Sequence, residues 1–199
     1  MPRRKRVQFE GAFYHVYNRG VEKRPIFMDD SDRGVFLSLL EQVKHEFQFR
    51  IFAFCLMGNH YHLFLQTPLA NLDKGMHKLQ GQYARYLNWK YDRVGYLFQG
   101  RYKSRLVGVD RYALALTRYI HRNPLEVDNI VRAEDYQWSS YRSYITKYSI
   151  WEWLETKWIL DQFHAEWPEA VTRFREFHQA LPPEYEFNVL HDTKQSLIR

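Results

Sequence analysis

The chain has 199 residues, 45% hydrophobic and 18% aromatic, enough apolar material to bury a core and, by length, one domain with an appendage. No run approaches the roughly 18 uninterrupted apolar residues of a membrane span, and the opening MPRRKR leads into Val-Gln-Phe-Glu rather than an apolar signal core, which argues against a secreted or membrane-spanning protein. The net charge of +6 is uneven: residues 150 to 199 carry 5 Lys+Arg against 9 Asp+Glu, so the remainder holds 24 against 14, a net +10, and a basic surface of this kind favours a polyanion, most often nucleic acid.

The first strand is expected over Phe13 to Asn18, where aromatic and β-branched residues run up to Arg19-Gly20. Asp30-Ser31-Asp32 supplies caps for a helix from about Arg33 to Phe47, with Val35, Phe36, Leu39, Leu40 and Val43 at three- and four-residue steps. A second strand, Phe49 to Met57, turns at Gly58-Asn59 into a third, His60 to Gln66. Cys55 in the second strand is the only cysteine, so an internal disulfide is excluded and it reads as core in a reducing, cytoplasmic setting. Asn71 to Tyr91 forms the next helix, with Leu72, Met76, Leu79, Tyr83, Tyr86 and Leu87 on one side. Ser104 to Val109 makes a fourth strand, and Asp110 caps a helix to about Arg122 that Pro124 ends.

The order β-α-β-β-α-β-α predicts an α+β fold of the ferredoxin-like kind, an antiparallel sheet with helices on one face and the other face open. Beyond Tyr136 the texture changes to two short amphipathic helices rich in tryptophan. We therefore expect a principal domain over residues 1–145 and a C-terminal helical extension over 146–199.

Two features carry chemistry. In GNHYHLFL, His60 and His62 share one strand face while Tyr61 points to the other. Two neutral imidazoles at that spacing can reach one divalent cation and leave its remaining positions for a third ligand and substrate; the triplet alone equally fits two surface histidines. In RYIHRNP, Tyr119 and Asn123 lie four residues apart on one helix face, presenting a phenol beside an amide, or else a core tyrosine beside a helix-ending asparagine.

Together these residues resemble the single-tyrosine HUH transposases, and more narrowly the REP-associated tyrosine transposases of bacteria. The resemblance runs through FYHVYNRG, MGNHYHLFL, LFQGRYKSRLV, TRYIHRNPLE and WSSYRSY in one order, covering roughly residues 10 to 145, whereas the last fifty residues match none of its blocks. Tyr61 stands at the hydrophobic position between the histidines and brings a hydroxyl that needs a partner. The resemblance implies His60, His62 and Asn123 as ligands of Mg²⁺ or Mn²⁺, although imidazole donors would also suit zinc. It implies Tyr119 as nucleophile on single-stranded DNA bearing a REP-like palindromic hairpin, through a 5′-phosphotyrosine intermediate. The alternative is a hairpin-binding protein without turnover. DNA contacts are expected from Arg3, Arg4, Lys5 and Arg6 in an N-terminal arm, and from His15, Arg19, Arg101, Lys103, Arg105, Arg118, His121 and Arg122. The implied setting is a monomer, or in other branches a dimer, in the bacterial cytoplasm at the nucleoid.

Overall fold

The computed structural model describes residues 7–108, 111–126 and 129–181. Four strands, β1 (Ala12–Arg19), β2 (Arg50–Leu56), β3 (His60–Thr67) and β4 (Lys103–Leu106), form one sheet in the order β2-β3-β1-β4. With helices α1 (Asp30–Phe47), α2 (Leu72–Lys90) and α3 (Arg111–Arg122) interleaved, this is the expected ferredoxin-like order. The fourth strand ends at Leu106, and the expected cap Asp110 lies outside the described residues, as do Arg3, Arg4, Lys5 and Arg6. Packing divides the chain into two compact units, Met1–Ile51 with Gly58–Val107, and Phe52–Met57 with Gly108–Arg199. Most of β2 belongs to the second of these units.

In the first unit, α1 and α2 pack side by side. Asp29 caps α1 by accepting from the Asp32 backbone N–H, and Asp32 reciprocates at the cap, which satisfies donors that a helix start leaves over. Asp32 is fully buried, and Lys90 at the end of α2 binds it at 2.8 Å; burial alone would raise its carboxyl, but Lys90 and the backbone donors hold it below the ordinary range. Beneath, Phe27, Phe36, Tyr61 and Tyr83 form one aromatic cluster, with the Phe27 and Tyr83 rings each edge-on to Phe36. The Tyr61 hydroxyl finds its partner in Gln80, which donates at 2.7 Å. Gly75 is needed where α2 passes Phe49, since a Cβ there would lie 2.3 Å from the phenyl ring.

In the second unit, the outer edge of β2 is occupied by residues 138–140: Leu56 N–H donates to the Trp138 carbonyl at 2.9 Å and Ser140 N–H to Phe54 at 3.0 Å, so this edge offers no unpaired ladder there. The rings of Phe52 and Phe54 lie against Trp158 and against Trp151 and Trp153, at 4.9 to 5.9 Å. Helices α4 (Tyr141–Ile145), α5 (Thr156–Leu160) and α6 (Trp167–Gln179) complete it. Trp151, Trp153 and Trp158 are thus half-buried against β2, whereas Trp167 is exposed. Among the described residues no helix is long and apolar enough to cross a membrane.

Candidate functional site

Strand register builds the histidine face of the first unit. Opposed residues of antiparallel strands share a face, and β1 pairs Arg19 with His60, Tyr17 with His62, and His15 with Phe64. On its other side β1 pairs Tyr17 with Lys103 and His15 with Arg105. One face of the first unit therefore carries His60, His62, His15 and Tyr17 together with Arg19, Lys103 and Arg105. The expectation that this face is open needs correction at the histidines: His62, His15 and Phe64 are fully buried and Tyr17 nearly so, while His60 and Arg105 are half-buried and Lys103 is exposed. Aromatic neighbours close over the imidazoles, with the Tyr17 ring 4.9 Å from His15 and 5.8 Å from His62.

Protonation can be read from the partners of each ring. Asn59 donates its amide nitrogen to the Lys23 carbonyl at 3.0 Å, which fixes its Oδ1 as the atom 2.7 Å from His60 Nδ1. His60 Nδ1 therefore carries a proton. His62 Nδ1 lies 2.9 Å from His15 Nε2. Burial first, then His15 and His60, push the His62 pKa well below the ordinary histidine range, so it is neutral at pH 7. The His60 and His62 rings are perpendicular, their centroids 5.2 Å apart.

The field on this face is positive. Burial, followed by the charges of Arg19 and Arg105, lowers the Lys103 ammonium, and burial followed by Arg105 lowers His15 to about 3. Arg19 is itself 8% exposed and donates to Gln99 at 3.0 Å. Arg101 is exposed on the segment entering β4 and lines a cleft of about 470 Å³ with Lys74, His77 and Tyr102.

The other expected residues, Tyr119 and Asn123, belong to the second unit. Tyr119 is half-buried near the end of α3, and Asn123 opens the 3-10 turn that follows. Asn123 donates its side-chain nitrogen to the Tyr119 carbonyl at 2.8 Å. Arg118 and Arg122, expected as phosphate contacts, both bond to the end of α6. Arg118 is 3% exposed, stacks 3.9 Å over Phe177 and donates to the Phe177 carbonyl; Arg122 donates to the His178 carbonyl at 2.6 Å. Both guanidiniums satisfy carbonyls that the last turn of α6 leaves over. His121 is fully buried with both nitrogens engaged, by His178 at 3.1 Å and Ser140 at 2.7 Å, and presents no atom to a nucleic acid.

Donor chemistry fits a divalent ion. Two imidazoles with Nδ1 already engaged, His60 by Asn59 and His62 by His15, would use Nε2 toward an ion, the arrangement in which an outer partner orients each ligand. Among the described residues no three His, Cys, Asp or Glu side chains gather as a metal site. The outer partners Asn59 and His15 were not foreseen in these roles: Asn59 reads in sequence as a turn residue, and His15 reaches His62 only through strand register.

The family model for IS200-like transposases matches residues 8–123. The chain belongs to that transposase family. Its fold matches the structure of a REP-associated tyrosine transposase bound to a REP hairpin, with a TM-score of 0.61, 14% identity, and coverage of 71% of this chain and 84% of the other. A second structure, of a Deinococcus radiodurans R1 protein assigned to the transposases, is 18% identical, with a TM-score of 0.42 and coverage of 61% and 97% respectively. No curated protein matches the chain.

Proposed function

We propose that this transposase is a divalent-metal-dependent endonuclease and strand transferase that acts on single-stranded DNA at REP-type palindromic hairpins. The observation that carries the reading is that the family match, residues 8–123, contains His60, His62, Tyr119 and Asn123 together. His60 and His62 through Nε2, and Asn123 through Oδ1, would hold Mg²⁺ or Mn²⁺. When bound, the ion withdraws charge from a phosphate oxygen and favours attack at phosphorus.

In the reaction, the Tyr119 hydroxyl loses its proton to solvent and its oxygen forms a bond to phosphorus. The bond from phosphorus to the 3′ oxygen breaks, and that oxygen takes up a proton as a free 3′-hydroxyl. Tyr119 retains the 5′-phosphate. A phenol, with an ordinary pKa of about 10, is a competent leaving group when a DNA 3′-hydroxyl attacks the link, so strands rejoin without an external energy source. Arg19, Lys103 and Arg105 supply positive field for the phosphate chain, and Asn59 holds His60 in the coordinating tautomer.

A neutral donor set suits this substrate because it leaves the ion's charge uncompensated for an anionic phosphate. The reading places the chemistry in residues 1–145, treats 146–199 as an extension, and has the protein act as a monomer at the bacterial nucleoid. The test is incubation with a single-stranded oligonucleotide carrying a palindrome, plus Mn²⁺, followed by a denaturing gel. A protein-DNA adduct that forms with wild type and is lost in Tyr119→Phe supports the enzyme. Hairpin binding without any cleavage or adduct in wild type would leave a silent binding protein instead.

A further inference from the structure

We propose that His15 is a positioning residue for the metal ligand His62: its Nε2 accepts the His62 Nδ1 proton, so that His62 presents Nε2 to the ion. The inference rests on the reading that His60 and His62 hold a divalent cation, and it adds a residue that touches neither ion nor DNA.

Geometry selects this pair. The two nitrogens are 2.9 Å apart, both side chains are fully buried, and the rings lie 24° from parallel with centroids 5.1 Å apart. His15 is not the residue opposite His62, since Tyr17 is. The contact is the diagonal one across an antiparallel pair, within reach of long side chains. Tyr17 packs against both rings, and the β1–β3 register runs unbroken from Ala12 with Thr67 to Arg19 with His60. Strand register and the Tyr17 ring together hold the two imidazoles side by side.

A histidine has one proton to place when neutral. Coordination through His62 Nε2 requires that proton on Nδ1, and a Nδ1–H buried in this face must have an acceptor. His15 Nε2 is that acceptor, which puts the His15 proton on Nδ1. Metal-binding histidines commonly give this second proton to a carboxylate or a carbonyl. A carboxylate here would offset part of the ion's charge, whereas a neutral imidazole orients the ligand and leaves that charge to the phosphate. Asn59, also neutral, does the same for His60.

The experiment is Mn²⁺ binding by titration calorimetry to wild type, His15→Gln, His15→Leu and His62→Ala, with apo thermal unfolding of each. The Gln carbonyl can accept the same N–H, while Leu fills the space without an acceptor. Wild type should bind, His15→Leu should bind about 10- to 100-fold more weakly, and His15→Gln should recover most of the loss. Equal affinity of wild type and His15→Leu would overturn the positioning role, as would a His15→Gln as weak as His15→Leu. Equal affinity of wild type and His62→Ala would instead bring down the metal reading beneath it. If His15→Leu does not fold, nitrogen-15 imidazole correlations on Mg²⁺-loaded wild type decide the matter: Nδ1–H tautomers at both His62 and His15 support the inference, and Nε2–H at His62 refutes it.

Discussion

Replacing Ser140 by alanine should cost the second unit about 2–4 kcal/mol. The hydroxyl stands in an ordered chain of hydrogen bonds whose proton positions follow from its far end. His178 Nδ1 is 2.9 Å from the Phe174 carbonyl, which only accepts, so Nδ1 carries the proton and His178 Nε2 accepts from His121 Nδ1–H at 3.1 Å. His121 Nε2 then accepts the Ser140 hydroxyl at 2.7 Å, while the Ser140 oxygen accepts the Phe54 N–H at 2.9 Å. Alanine leaves two buried groups without a partner, the Phe54 N–H and His121 Nε2, at about 1–3 kcal/mol each, less the desolvation that the lost hydroxyl no longer suffers. Ser143 supplies the control: it is 4% exposed and its hydroxyl has no partner among the described residues, so Ser143→Ala should be neutral or slightly stabilising. Guanidinium unfolding of wild type and both variants, with the slope unchanged, gives the comparison. A loss below about 0.5 kcal/mol for Ser140→Ala, or equal effects of the two substitutions, would refute the chain of bonds.

Stability should also fall with pH in a defined window. Burial pushes His178 down to about 3 and His121 well below its ordinary value, so the unfolded chain takes up protons below its own value of about 6.5 that the native state refuses. Native stability is therefore fully present above that value and declines as pH drops toward 3, by up to about 1.4 kcal/mol per pH unit for each histidine. Denaturant midpoints that stay flat between pH 7 and pH 5 would contradict it. Gly75→Ala should destabilise the first unit by about 1–3 kcal/mol through overpacking on Phe49, although alanine is the better helix former, and thermal unfolding reads the sign directly.

Much of this was legible in the chain, for reasons that differ by element. FYHVYN and HYHLFL announce strands because aromatic and β-branched residues fit a half-buried pleat, and Gly58-Asn59 between two such runs announces a hairpin. His60 and His62 share a face by strand geometry alone. What covers that face was not legible: alternation shows which residues point together and says nothing of the neighbours, so histidines expected at an open surface are buried beside Tyr17. The pairing of β2 with residues 138–140 was hidden because three residues make no strand pattern. Arg118 and Arg122 looked like phosphate contacts because a guanidinium that caps a distant helix is indistinguishable in sequence from an exposed one. His15 stood in the first strand as a lone imidazole, and only register turns it into the neighbour of His62.

The central claim is that the Tyr119 oxygen becomes joined to a 5′-phosphate of single-stranded DNA. The direct measurement is mass spectrometry of the nuclease-trimmed, trypsin-digested adduct, in which cleavage after Arg118 and Arg122 isolates Tyr119-Ile120-His121-Arg122. The account predicts a nucleotide phosphate on the tyrosine of this peptide, retaining label from the 3′ side of the cut. The same modification on any other residue, or metal-dependent cleavage with Tyr119 unmodified at every time point, would contradict it.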